Sequence, residues 1–255
     1  MLKISFRPSD FNTVSDALKQ HLISLPSAVD SFFEGHILES AHYQIFLSGE
    51  YAGFTSIHKG SLVTQYSLLP TFRHYGQDIF AKIKKLEEVQ AAFVPTCDEF
   101  FLSHALDEYQ QLNRHAYFFA TPSANEHKPT DYKLTLAKEQ DVALIKDGSG
   151  DFFGDIPKHI QSQELFLVQL NGACVGFGFL EKSNLLDKTA SLGMFVIERF
   201  RKKGAGTAIV TLLINACHQQ GLQPIAGCWY YNHLSKKTLE RAGMYSQTRL
   251  LRVTF

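Results

Sequence analysis

Short apolar bursts separated by turn residues run along most of the chain, and their spacing changes from strand-like to helix-like and back. Ile45–Leu47 and Tyr51–His58 flank Ser48-Gly49-Glu50, the composition and spacing of a β-hairpin. Leu62–Leu68 adds a third strand. Ile79, Ile83 and Leu86, with Phe80 and Ala81, recur at helical spacing. Ala91–Val94 predicts another strand, and the apolar positions from Phe100 to Leu112 predict a helix. The segment from Thr121 to Thr130 is polar and carries Pro122 and Pro129, which is linker composition. The expected organisation is therefore two domains, residues 1–125 and 126–255.

The same order of elements returns after the linker. Tyr132–Leu136 opens it, Leu165–Leu170 and Cys174–Glu181 flank Asn171-Gly172, and Thr189–Ile197 forms a third strand. Asn-Gly is a favoured type I′ hairpin turn. A helix from about Gly204 to Gln220 ends at Gly221 and Pro224, a strand follows near Ile225–Cys228, and a last helix covers Asn232–Ala242. A helix between successive strands implies a crossover, because parallel neighbours need a long connection. The fold class is α/β (α+β), one fold used twice, each half a mixed, mostly antiparallel sheet flanked by helices.

Composition narrows the function classes. A chain of 255 residues with 45% hydrophobic content can bury one large core or two smaller ones. Lys plus Arg equals Asp plus Glu at 25 each, so no global field draws it to nucleic acid. The N-terminal residues Met1 to Pro8 are too polar for a secretory signal, and no apolar run approaches the roughly 18 residues that span a bilayer, so a cytoplasmic protein without membrane contact is expected. Cys97, Cys174, Cys217 and Cys228 lack paired close spacing, which predicts four reduced, buried thiols. The histidines form no His-x-x-x-His pair on a predicted helix, and no metal is expected. No Gly-x-Ser-x-Gly elbow points to a hydrolase.

The strongest chemical signal is Arg201-Lys202-Lys203-Gly204-Ala205-Gly206-Thr207, between an apolar strand and an amphipathic helix. A helix N-terminus offers unpaired N–H groups with partial positive charge, glycines let an anion approach the backbone, and three cationic side chains add attraction. A pyrophosphate suits such a cradle. Solvating lysines and a tight glycine turn would give the same string. A bulky acidic residue at Gly204 or Gly206 is expected to abolish binding and to spare the fold.

With Gly204 and Gly206 following Arg201, this stretch resembles the Arg/Gln-x-x-Gly-x-Gly/Ala pattern of the GNAT superfamily of acyl-CoA N-acyltransferases. The resemblance continues through Gly221-Leu222-Gln223-Pro224, Asn232-His233-Leu234-Ser235 and Leu239-Glu240-Arg241-Ala242-Gly243-Met244, and in wording is similar to the zwittermicin-resistance-type branch. It implies that the backbone of Met194, Phe195 and Val196 holds the pantetheine arm, and that the amides of Lys202, Lys203, Gly204, Ala205, Gly206 and Thr207 hold the pyrophosphate. Asn232 and Ser235 match positions that contact the coenzyme, Asn232 being equally suited to cap a helix. Phe72-Arg73-His74-Tyr75-Gly76-Gln77-Asp78 echoes the cradle in the first half, but Asp78 stands where Gly206 stands, and its charge opposes phosphate. The pair resembles a tandem GNAT protein whose first half is degenerate, serving as scaffold or as a wall of the acceptor pocket.

Acyl transfer to an amine needs a neutral amine aligned on the thioester, a donor to the developing oxyanion and a proton for the thiolate. The resemblance implies a backbone donor near Phe195 or Val196. The family's usual tyrosine acid, seven residues after Asn232, is Leu239 here, and the position of a glutamate base, five before Asn232, is Gly227. Candidate substitutes are Tyr230, Tyr231, His233, Cys228 and Glu181. The expected function is transfer of an acetyl group from acetyl-CoA, the co-substrate, to a primary amine of a small molecule, by a monomer or homodimer. Rival readings are a coenzyme A-binding protein without turnover and a protein or peptide N-acetyltransferase.

Overall fold

The computed structural model of the chain describes residues 3–122 and 130–255. The boundary expected between residues 125 and 126 lies outside the described residues. From the N-terminus the elements are β1 (Ile4–Ser9), α1 (Phe11–Ser24), α2 (Ser31–Leu38), β2 (Ser40–Leu47), β3 (Glu50–His58), β4 (Leu62–Leu68), a 3-10 turn (Pro70–Tyr75), α3 (Gly76–Ile83), β5 (Ala91–Pro95), α4 (Glu99–Ala105) and β6 (Gln111–Ala120). They continue as β7 (Lys133–Leu136), α5 (Val142–Ser149), α6 (Ile156–Gln161), β8 (Leu165–Leu170), β9 (Ala173–Lys182), β10 (Thr189–Val196), α7 (Ala205–Gln219), β11 (Gln223–Trp229), α8 (His233–Arg241) and β12 (Tyr245–Thr254). Strand, two helices, three strands, helix, strand, helix, strand is the order in both halves, so one fold is used twice.

Two compact units result, one comprising the residues up to Phe118 with Gln247–Phe255, the other Phe119–Ser246. In the first unit the strands lie in the order β1-β2-β3-β4-β5-β12-β6. The last strand of the chain therefore completes the sheet of the first unit, running antiparallel to β5 from Leu250↔Pro95 to Thr254↔Ala91. Its core on one face gathers Ile45, Ile57, Tyr66, Ile79, Phe80 and Phe101. The helix expected from Phe100 to Leu112 stops at Ala105, and Leu112 belongs to β6. Glu108 adopts a left-handed backbone that no helix continues through, and Leu106, Tyr109 and Leu112 stay 37–48% exposed, so their helical spacing marks no buried stripe.

The second unit orders its strands β11-β10-β9-β8-β7. Asn171 and Gly172 both have positive φ, the backbone a type I′ turn demands, and they fold β8 onto β9. Helix α7 buries Ile209, Val210, Leu213, Ile214 and Cys217 against one face of the sheet. Gly178 lets it lie close, since a Cβ there would stand 2.9 Å from Leu213 Cδ2. On the other face α5 and α6 enclose Ile145, Phe153, Ile156, Ile160 and Phe177. No disulfide joins the four cysteines, and of them only Cys217 is buried, its thiol pushed up to about 12 by desolvation. The other three are half-buried, because each lies near a strand end or loop where cover is partial. Among the described residues no helix is long and apolar enough to cross a membrane, and no group of three or more His, Cys, Asp and Glu is gathered as for a metal ion.

Candidate active site

β10 and β11 are parallel neighbours that part company. Their ladder runs from Thr189↔Gln223 to Ser191↔Ile225 and, among the described residues, carries no further pair. Yet β10 continues to Val196 and β11 to Trp229, so the two strands open into a gap on one side of β10. On its other side β10 stays paired with β9 through Val196↔Gly176, and Ile197 donates its N–H to the Val175 carbonyl at 3.0 Å. Successive residues of a strand turn their backbone groups to opposite neighbours. Residues of odd number, Phe195 included, therefore bond to β9, while Met194 and Val196 turn theirs to the gap. Lys188, also even, accepts from the N–H of Gln223 on β11 at 2.7 Å, in agreement with that alternation.

The chain then turns sharply into α7. Arg201 does not point freely into solvent: its Nε donates to the Val196 carbonyl at 3.1 Å and its guanidinium lies 5.5 Å from the centre of the Phe195 ring. Lys202 and Gly204 both have positive φ, 61° and 87°. Gly204 is the N-cap of α7, and Ala208 is the first residue whose N–H reaches back, to the Gly204 carbonyl at 3.1 Å. The amides of Ala205, Gly206 and Thr207 have no intrahelical acceptor by the geometry of a helix start, and no acidic side chain lies in that turn. The two glycines act differently. A Cβ on Gly204 would meet nothing within 4 Å, so its backbone conformation selects it. A Cβ on Gly206 would meet Thr238 Cγ2 at 3.1 Å and Met194 Sδ at 3.3 Å, so Gly206 allows α7 to pack against β10 and α8.

The remaining predicted residues fall into three groups. Asn232 caps α8, its side chain accepting from the Ser235 N–H at 3.0 Å, which ties both residues into one turn. Tyr230, Tyr231 and His233 follow the end of β11; Tyr231 is 48% exposed and its ring stands 5.2 Å from that of Tyr230. Cys228 is half-buried near the end of the same strand. Glu181 sits apart on β9, opposite Ser191, level with the point where the ladder closes. Leu239 is 5% exposed and packs as a core residue. Sequence reasoning passed over Trp229, the last residue of β11, and Phe152, whose ring lies 5.2 Å from that of Phe195; each is 58% exposed. Their signal was there: Trp229 is the sole tryptophan of the chain, at a strand end.

The first unit builds the corresponding corner and fills it. Among the described residues β4 and β5 pair in parallel at Leu62↔Ala91 and Val63↔Ala92 and at no other position. Beyond them the fully buried Tyr66 packs its ring 5.0 Å from Phe80 and 5.3 Å from Phe100, and its hydroxyl donates to the Gly76 carbonyl at 2.8 Å. Burial pushes the Tyr66 phenol well above its ordinary range. Gly76 is right-handed, and a Cβ there would run into the His104 ring, so it makes room for α4 and not for an anion. Arg73 stacks over Phe100, and Asp78 occupies the first turn of α3.

A mixed sheet that opens beside a strand-to-helix corner, with free amides at the corner, defines the fold of the GNAT acyltransferases. Two family models match: an acetyltransferase (GNAT) domain over residues 10–122 and the acetyltransferase (GNAT) family over residues 139–244. A GNAT-family acetyltransferase from Colwellia psychrerythraea superposes with a TM-score of 0.88 at 20% identity, covering 99% of each chain. A GCN5-related N-acetyltransferase from Sphaerobacter thermophilus gives 0.64 at 12% identity over 98% of this chain and 95% of that one. A tandem GNAT protein from the clavulanic acid biosynthesis pathway gives 0.61 at 12% identity over 99% and 98%. No curated protein matches the chain. The chain belongs to the GNAT acetyltransferase superfamily and carries two GNAT domains in tandem.

Proposed function

We propose that the second unit binds acetyl-CoA in the β10–β11 opening and transfers the acetyl group to a primary amine of a small molecule. The observation that carries this reading is the interrupted ladder: two adjacent strands stop pairing after Ser191↔Ile225 while the amides of Met194 and Val196 turn into the gap. An extended pantetheine arm fits there as an added strand, satisfying backbone groups that are otherwise costly to leave unpaired. The amides of Lys202 to Thr207 at the start of α7 then receive the pyrophosphate, with Lys202 and Lys203 exposed beside them. The carbonyl of Val196 is already taken by Arg201, which leaves the N–H of Val196 for the arm and that of Met194 for the thioester oxygen.

The amine must lose a proton and the thiolate must gain one. Glu181, at the closed end of the opening, is suited to take the first; Tyr230 or Tyr231, past the end of β11, to give the second. His233 and Cys228 are the alternatives. Incubating the full chain with acetyl-CoA and a panel of small primary amines and peptides, with release of free coenzyme A thiol as the readout, tests the reading. Thiol release that requires an amine supports it. Binding of acetyl-CoA with no release against any amine or peptide would favour a coenzyme A-binding protein, and release with peptides alone would favour a peptide acetyltransferase.

A further inference from the structure

We propose that the amine accepted by the second unit is carried on an aromatic or similarly flat apolar body, held between Phe152 and Phe195 on one edge of the β10–β11 opening and Trp229 and Tyr231 on the other. The inference rests on the reading that this opening takes the coenzyme. Carried on at the same offset, the register that ends at Ser191↔Ile225 sets Phe195 level with Trp229. Side chains alternate along each strand, so both rings belong to the face covered by α5 and α6, opposite to the α7 face on which Met194 and Val196 approach Gly206.

Each edge carries a ring pair. Phe152 lies 5.2 Å from Phe195, centroid to centroid, and Trp229 lies 5.0 Å from Tyr231 in an edge-on arrangement. Three of the four rings remain wet, Phe152 and Trp229 at 58% exposed and Tyr231 at 48%, while Phe195 is half-buried. Grouped exposed aromatics beside a catalytic opening mark a binding surface, not packing. The stretches from Leu192 to Ile197 and from Ile225 to Ser235 contain no carboxylate, and Arg201, Lys202 and Lys203 lie at the mouth. A polyamine, which carries several positive charges, needs more negative charge than Glu181, at the closed end of the opening, supplies. A single amine on an aromatic body does not.

Trp229 is the only tryptophan, so its emission reports on this site alone. The full chain, loaded with acetyl-CoA, is titrated with 2-phenylethylamine while emission is followed, and acetylation of 2-phenylethylamine, spermidine and glucosamine is compared. The expected result is a saturable change in emission and the highest kcat/KM for 2-phenylethylamine. Phe152→Ala, at an exposed position, raises the KM for that amine about ten-fold and leaves the calorimetric affinity for acetyl-CoA unchanged; Trp229→Phe retains most of the activity and Trp229→Ala does not. A higher kcat/KM for spermidine or glucosamine, no acetylation of any of the three while acetyl-CoA binds, or an unchanged KM in Phe152→Ala overturns the proposal. Loss of acetyl-CoA binding by the unaltered chain, read separately by calorimetry, would overturn the underlying coenzyme reading instead.

Discussion

Arg201 reaches back over the turn it opens and donates from Nε to the carbonyl of Val196, 3.1 Å away, while its planar head covers the Phe195 ring. One side chain thus fixes the end of β10 relative to the start of α7, the two segments whose amides are proposed to hold the coenzyme. Arg201→Met is expected to lower stability by only about 0.5–1 kcal/mol, as for one exposed hydrogen bond. The same change is expected to weaken acetyl-CoA binding about ten-fold, because the corner loses both its charge and its alignment. Arg201→Lys keeps the charge but loses the fork and the stack, so it recovers less than half of that loss. Calorimetric titration of both variants checks the order.

Gly204 and Gly206 separate conformation from packing. Gly204→Asp places its Cβ in open space; its strain comes from φ of +87°, costing about 1–2 kcal/mol, partly offset by a carboxylate at the N-terminus of α7. Stability therefore changes little while the anion site is blocked, and acetyl-CoA affinity drops by at least about a hundred-fold. Gly206→Glu is a different experiment. Its Cβ would press on Thr238 and Met194, so overpacking costs about 1–3 kcal/mol and binding is lost together with stability. Thermal melts beside the titrations distinguish the two.

In the first unit, Gly76→Ala is expected to destabilise by about 1–3 kcal/mol, because the added methyl enters the space of the His104 ring and Phe100. Acetyl-CoA affinity should stay as it is in the unaltered chain. Urea denaturation and a binding titration of the same variant check both halves of the statement.

The first unit also sets a pH limit. His42, His58 and His115 are all held below the ordinary imidazole range, in each case chiefly by burial, with His36 and Lys59 adding to it for His58, and Arg252 and His36 for His115. His42 Nδ1 shares a proton with the Ser56 hydroxyl at 2.8 Å, while its Nε2 and the His58 Nδ1 have no hydrogen-bond partner among the described residues, and the opposing pull of Glu39 and the His36 backbone on His58 does not offset its burial. A folded pKa below the unfolded value means that the unfolded chain takes up protons first as pH falls. The contribution to stability is complete above about pH 6.5, the unfolded histidine value, and is lost as pH drops from there toward the lowered folded values. The urea midpoint should therefore fall between pH 7 and pH 5. A midpoint that holds or rises over that range would contradict the assignment.

Much of this was written in local pattern. Asn171-Gly172, the strand-turn-helix at Arg201 and the cap at Asn232 are decided by residues a few positions apart, and each is where the pattern set it. The helix α1 left a readable trace too, since Val14, Leu18 and Leu22 are its buried stripe, but a single residue per turn is a faint signal among polar neighbours. What local pattern does not hold is pairing. β12 belongs with β5, some 155 positions away by the pair Leu250↔Pro95, and nothing in its own sequence says which unit it completes. Nor does the composition of β10 disclose that its ladder with β11 stops at Ser191, which is what makes Met194 and Val196 available and leaves Phe195 committed to β9. A partner strand decides that.

Calorimetric titration of acetyl-CoA into the unaltered chain and into Gly204→Asp tests the central claim most directly. The account predicts one molecule bound per chain in the first case, and no measurable binding by a variant that still melts cooperatively in the second. Two molecules per chain, no binding by the unaltered chain, or equal affinity in Gly204→Asp would contradict a single coenzyme site at the β10–α7 corner.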